Sequence, residues 1–362
     1  VLYWLLVPLR EDVFFFNVFR YITVRTALAG LTALALSFLL GPWLIRLLQR
    51  HQIGQEIRPE GPQSHHAKKG TPSMGGLLII VSTLVPTLVW GNLGNTYVWM
   101  AVLSMILFGL IGLADDALKV RRKRSLGLRF GQKIALQVIL AVLVALAFIW
   151  MGTSGRFSLN LALPFLKEWT PYLGWLYLPW IVFILVGSSN AVNLADGLDG
   201  LAIGLTFIGA TALTALTYVA GHALWSQYLN IPRVPLAAEL TVFAGALAGA
   251  CLGFLWFNCH PAQVFMGDVG ALSLGGTLAV IALLIKQEFL LFAVAGVFIL
   301  EAASVLLQVS YFKLTGGKRL FRMAPLHHHF ELSGWPEGKV VIRFWILAII
   351  FALFSLSTLK LR

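Results

Sequence analysis

The strongest constraint on this chain is its succession of long apolar stretches, each closed by a short polar break. Ten of them lie near 22–45, 75–92, 97–116, 132–152, 172–190, 199–220, 239–257, 270–285, 289–312 and 340–360. A helix needs about 20 apolar residues to cross a bilayer, and inside lipid its backbone must satisfy its own hydrogen bonds. Length alone would allow two or three soluble domains. Composition decides against them: 12% of the residues are charged and 59% are hydrophobic, with a mean hydropathy of +0.84, whereas soluble domains carry roughly 25% charge. The expected fold class is an all-α polytopic membrane protein of about ten transmembrane helices. The stretches are apolar all round, so periodicity does not tell which face meets lipid. Small-residue runs such as Ala244-Gly245-Ala246 and Gly275-Gly276 suit close helix packing.

The formal charge is +12, which by itself would also suit nucleic acid. The cations are segregated by loop, which favours a membrane. Arg46, Arg50, Arg58, Lys68 and Lys69 follow the first stretch. Lys119, Arg121, Arg122, Lys123, Arg124, Arg129 and Lys133 follow the third, and Lys313, Lys318, Arg319, Arg322, Lys339 and Arg343 follow the ninth. The intervening loops carry only Arg156 and Lys167, then Arg233, then Lys286. The positive-inside rule puts the basic loops in the cytoplasm, and ten spans then place both termini in the periplasm. Residues 1–24 are apolar but interrupted by Arg10, Glu11, Asp12 and Arg20. They read as an interfacial segment leading into the first span, without the small-residue cleavage site of a signal peptide. Cys251 and Cys259 are the only cysteines, too few for a disulfide framework or a Cys-rich zinc site.

With that topology, Asp115, Asp116, Asp196, Asp199 and Asp268 all fall at the cytoplasmic edge of the spans. A carboxylate near hydrocarbon is costly, so five on one side imply a shared counter-charge or a water-filled site. Asp115-Asp116 suits Mg²⁺, a hard cation that takes one or two carboxylates plus substrate phosphates. It also suits a helix end facing water, with Lys119 and Arg121 as ion partners. The stretch Ser189 to Gly200 holds Asn190, Asn193, Asp196 and Asp199, a dense polar cluster fit for a base, a ribose or a metal. The same residue types also make turns and helix caps. In Asn258 to Gly270, Gly267 and Gly270 flank Asp268 just before a span. That helix start can offer N–H groups to a phosphate, and Phe265 can stack on a base or serve as an interfacial aromatic. His327-His328-His329 precedes Phe330-Glu331 in a basic loop. No zinc spacing accompanies it, and a diphosphate fits the neighbouring Lys318 and Arg322 better. His65 to Gly76 leads into the second span and lacks the Walker pattern. Glu301 shares a helical face with Ser304 and Gln308 and is expected to make a structural helix-to-helix contact away from the aspartates.

In their order and spacing these segments resemble the phospho-N-acetylmuramoyl-pentapeptide transferase family, within the polyprenyl-phosphate sugar-1-phosphate transferases. The resemblance runs nearly end to end. It rests on Lys69 to Gly76, on Asp115-Asp116, on Asn190 to Ala202, on Asn258 to Gly276 and on Pro325 to Glu331. Ala195 and Ala271 depart from the commoner Thr and Ser. The resemblance implies a single integral membrane transferase domain over 1–362 in the bacterial cytoplasmic (inner) membrane, ten spans, a Mg²⁺ requirement and a homodimer. It also implies the reaction of UDP-N-acetylmuramoyl-pentapeptide with undecaprenyl phosphate to give lipid I and UMP. On this reading Asp268 is the leading metal ligand with Asp115 and Asp116 beside it, and Asp115 is the candidate base. Lys68, Asn193, Asp196, Asn258 and Phe265 are nucleoside-site candidates, and His327 and His328 are candidates for the diphosphate or muramoyl group. Asn190, Asp199, Gly267 and His329 complete the substrate-binding set. The alternatives are a sister transferase that uses UDP-N-acetylglucosamine and, with less support, a transporter. Transporters place polar residues near the midplane, where only Glu301 lies.

Overall fold

The computed structural model describes residues 1–11, 14–51, 70–122, 127–166 and 168–360. The described regular elements are helices: α1 (Leu2–Leu6), α2 (Ile22–Arg50), α3 (Gly76–Trp90), α4 (Thr96–Arg122), α5 (Phe130–Thr153), α6 (Tyr177–Ala195), α7 (Leu201–Gly221), α8 (Ala223–Leu229), α9 (Ala237–Asn258), α10 (Gly267–Leu284), α11 (Glu288–Val294), α12 (Gly296–Leu314), α13 (Leu326–Glu331) and α14 (Glu337–Thr358). Among the described residues there is no strand, only an isolated bridge between Asn160 and Tyr172. Among the described residues nine helices, α2, α4, α5, α6, α7, α9, α10, α12 and α14, are long and apolar enough to cross a membrane. This is the expected all-α polytopic membrane architecture.

Two expected spans differ in detail. The second is the 15-residue α3, which rises about 22 Å at 1.5 Å per residue, less than the ~30 Å hydrocarbon core. The ninth is broken at Ala295 into α11 and α12. Gly296 opens α12 against the Phe351 ring of α14, 2.8 Å from where a Cβ would stand. That packing is tertiary and leaves no mark in a continuous apolar run.

α10 is the axis of the bundle. Every residue from Val269 to Leu284 is buried, which fits a helix that is apolar all round. It packs on α4, α6, α3 and α7. Gly112 makes the approach of α4 possible, because a Cβ there would collide with the Asp268 carbonyl and stand 2.6 Å from the Val269 Cα. At one end of the bundle α2 and α9 are joined by a bidentate pair, Arg25 to Glu239, with both contacts at 2.7 Å. Also at that end Lys286 meets Glu288 at 3.2 Å and the Tyr177 hydroxyl at 2.6 Å. The opposite end collects the C-termini of α4, α6 and α9 and the N-termini of α3, α5, α7, α10 and α14. The polar segments picked out in the sequence are gathered there.

Candidate active site

Two helices bring three acids to one point. Asp115 and Asp116 lie in the last turns of α4 and are buried, and Asp268 lies in the first turn of α10. Their carboxylate oxygens can be chosen within 4.8 Å of one another. Helix ends explain part of the arrangement. The first N–H groups of a helix have no partner within it, and an acid nearby is favoured by the helix dipole. The Asp116 Oδ2 accepts the Val269 N–H of α10 at 3.1 Å, so an acid of α4 caps α10. The Asp115 Oδ1 accepts the Leu128 N–H at 2.7 Å.

Two lysines supply the counter-charge. Lys119 Nζ sits 2.7 Å from Asp115, 3.1 Å from Asp116 and 2.7 Å from Asp268. Lys133 Nζ, one turn into α5, lies 2.8 Å from Asp268 and 3.4 Å from the Asn193 Oδ1. The Asn193 amide donates to the Asp268 Oδ1 at 2.6 Å. Asp268 is therefore the hub, held by groups from α4, α5 and α6. Lys119 was legible as an ion partner of the adjacent acids. Lys133 was only one cation in a basic loop. Its signal is the i,i+4 spacing to Gln137 on the stripe of α5 that meets Asn190 and Asn193.

Asp196 caps α6 at the edge of this cluster and is half-buried. Burial first, then the negative charges of Asp268 and Asp116, push its carboxyl up to about 8. Gly267 has φ +72, and a Cβ there would stand 2.5 Å from the Asp116 Oδ2. Residues 72–76 and 265–266 are stitched together: the Phe265 N–H donates to Pro72 at 2.8 Å, and the Gly75 and Gly76 N–H groups donate to Phe265 and Met266 at 2.9 Å. The Phe265 ring is half-buried beside the cluster loop. Lys68 lies outside the described residues.

The other candidates fall in neighbouring groups. Asp199 does not join Asp268. Its Oδ2 lies 3.2 Å from His260 Nδ1 and accepts the Ala262 N–H at 3.1 Å, while its own N–H donates to Glu337 of α14 at 2.8 Å. Asp199, His260 and Glu337 form a second cluster of potential ligands. Asn258 is buried and ties loops together, accepting the Gly200 N–H at 3.1 Å and donating to Val264 at 2.8 Å. Asn190 donates to Gln137 at 2.5 Å and to Val186 at 2.8 Å, joining α6 to α5.

The three histidines sit on α13 and point in different directions. His327 is fully buried, with Nδ1 3.2 Å from Glu301 of α12 and its ring against Gly197. His328 Nδ1 lies 2.8 Å from Glu331. His329 Nδ1 accepts the Arg322 N–H at 3.1 Å. Glu301 was expected to contact a neighbouring span away from the site. Instead it reaches the histidine helix, which rests on the loop carrying Asp196. The contact was hidden because α13 lies outside the spans.

The donor set fits a divalent ion of the Mg²⁺ type: three carboxylates and nearby amide oxygens, all hard ligands, with lysines able to turn to phosphates. It offers no thiolate.

The glycosyl transferase family 4 model matches residues 98–286, and the first phospho-N-acetylmuramoyl-pentapeptide-transferase signature matches residues 68–80. Proteins named phospho-N-acetylmuramoyl-pentapeptide-transferase from Koribacter versatilis, Desulforapulum autotrophicum and Desulfatibacillum aliphaticivorans are 52%, 53% and 54% identical to this chain. Each alignment covers 100% of both chains. With about half its residues identical from end to end, and with the family's signature leading into α3, this chain belongs to the phospho-N-acetylmuramoyl-pentapeptide-transferase family.

Proposed function

We infer that the protein transfers phospho-N-acetylmuramoyl-pentapeptide from its UDP-linked donor to undecaprenyl phosphate, giving lipid I and UMP. End-to-end similarity to enzymes of that name supports the reading. So does the convergence of acids and lysines from α4, α5, α6 and α10 at one end of a membrane bundle. We assign that end to the cytoplasmic face of the bacterial inner membrane, with both termini periplasmic. A single transferase domain over 1–362 and a homodimer belong to the same proposal.

The chemical obstacle is that one anionic phosphate must attack another. Phosphoryl transfer is assisted chiefly by positioning and by cations that spread charge. Mg²⁺, held by Asp268 with Asp115 and Asp116, would neutralise the diphosphate and the departing UMP. Lys119 and Lys133 reach the same point and can each hold a phosphate oxygen. Asp115 is the candidate to accept a proton from the lipid phosphate, a minor service because a phosphate's second pKa near 6 leaves it largely dianionic at pH 7. Phe265 offers a ring for the uracil, and Asn193, Asp196, Asn258 and Lys68 are assigned to the nucleoside side. Asn190, Asp199 and Gly267 shape the loops that carry these groups. His328 and His329 are assigned to the diphosphate or muramoyl side, and His327 holds their helix to Glu301.

The test is UMP release from UDP-N-acetylmuramoyl-pentapeptide, with and without undecaprenyl phosphate and Mg²⁺, and with UDP-N-acetylglucosamine as control donor. Release that requires acceptor and metal and prefers the muramoyl donor is expected. Equal use of the glucosamine donor, or flux across liposomes without UMP, would overturn the assignment.

A further inference from the structure

α13 has two faces. His327 turns inward to Glu301 and Gly197. Leu326 and Phe330 turn the other way and wall a cavity of about 440 Å³. α12 adds Val297 and Leu300, and α14 adds Phe344 and Leu347. The volume is about three times that of a cavity that takes one benzene ring. Leu300 and Leu347 are exposed on helices long enough to span a bilayer, so the cavity opens where lipid chains would be.

Its rim is cationic. The Arg343 guanidinium lies 4.2 Å from the centre of the Trp335 ring and Lys339 Nζ lies 5.6 Å from it. Trp335 in turn stacks on Phe330 at 4.6 Å. Two cations on a tryptophan at the mouth of an apolar slot match an anionic head group joined to an acyl chain. Tryptophan favours the interface, and basic pockets between spans bind acidic lipid head groups.

We propose that this cavity binds one chain of an anionic phospholipid, with the phosphodiester on Arg343 and Lys339. Bound there, the chain braces α13 from behind and so steadies the helix that carries His328 and His329. The site is separate from the acid cluster: none of its walls comes from α4, α5, α6 or α10.

The test uses the full chain in phosphatidylcholine vesicles containing a trace of phosphatidylglycerol with a photoreactive group near the end of one acyl chain. Irradiation should label peptides containing Leu326–Phe330 and Phe344–Leu347. Unlabelled phosphatidylglycerol should displace the label and phosphatidylcholine should not. With each basic residue near the surface contributing about fivefold in lipid affinity, Arg343→Gln should lower labelling about fivefold and the double substitution with Lys339→Gln about thirtyfold. Leu347→Trp, which fills the slot and leaves the charges, should lower it too. Even labelling along α12 and α14, or labelling unchanged by Arg343→Gln, would overturn the proposal. Displacement by undecaprenyl phosphate where phosphatidylglycerol fails would give the cavity to the acceptor lipid instead. Crosslinks between two copies of the chain at Leu347 would give it to a protein interface.

Discussion

Replacing Asp268 with Asn tests the centre of the site while keeping its shape. The carboxylate accepts from Lys119 at 2.7 Å, Lys133 at 2.8 Å and Asn193 at 2.6 Å. An asparagine keeps one acceptor oxygen, for Asn193, and presents an NH₂ group to two ammonium ions. Two charge-assisted hydrogen bonds are lost, each worth about 1.5–3 kcal/mol. At 1.36 kcal/mol per factor of ten, a loss of about 3–6 kcal/mol from the transition state slows transfer by roughly 10²–10⁴. Removal of the proposed metal ligand acts in the same direction. The fold should survive, because Lys119 keeps Asp115 and Asp116 as partners. The assay is UMP release at saturating Mg²⁺ and donor, alongside membrane insertion and thermal unfolding in detergent. Turnover within threefold of the unsubstituted protein, with normal insertion, would refute Asp268 as the hub.

Other expectations follow from the same geometry. Gly112→Val should drive α4 away from the Asp268 carbonyl and cost about a hundredfold in transfer, since a displacement near 1 Å is enough; a rate unchanged at equal expression would refute the close-approach argument. Asp196 titrates in the native state at about 8, well above its ordinary value near 3.8. Between those values the folded form binds the extra proton, so the metal-free protein should lose stability as pH rises through 8, and Asp196→Asn should flatten that slope in melting curves taken from pH 5 to 9. Lys286→Met leaves the fully buried Glu288 without its cation and should destabilise by about 3–5 kcal/mol. Adding Glu288→Leu should restore most of the loss, and a double variant no more stable than the single one would count against the pairing. Chelation of divalent ions should stop transfer without lowering the melting temperature, and Mg²⁺ should restore it; unfolding on chelation would show that metal, not lysine, holds the acids together.

Much of the bundle was legible because a helix buried on all sides must be apolar on all sides, and α9 and α10 are. Alternating loop charge was enough to put five aspartates at one end. Which of them touch was not legible. Contact depends on the rotation of each helix, and only two residues separate Asp196, beside the Asp268 cluster, from Asp199, which meets His260 and Glu337. The break before α12 and the seating of α13 were equally hidden, since both depend on tertiary contacts such as Gly296 on Phe351 and His327 on Glu301. Lys133 could not be told from its neighbours by charge, because a positive-inside loop is basic whether or not any one lysine works.

Lys119 touches all three acids at once, and this makes one side chain the clasp between two helices. A cluster of like charges at the edge of a membrane would otherwise push its helices apart. Here a tethered ammonium closes the gap, so the end of α4 and the start of α10 are held together by one side chain.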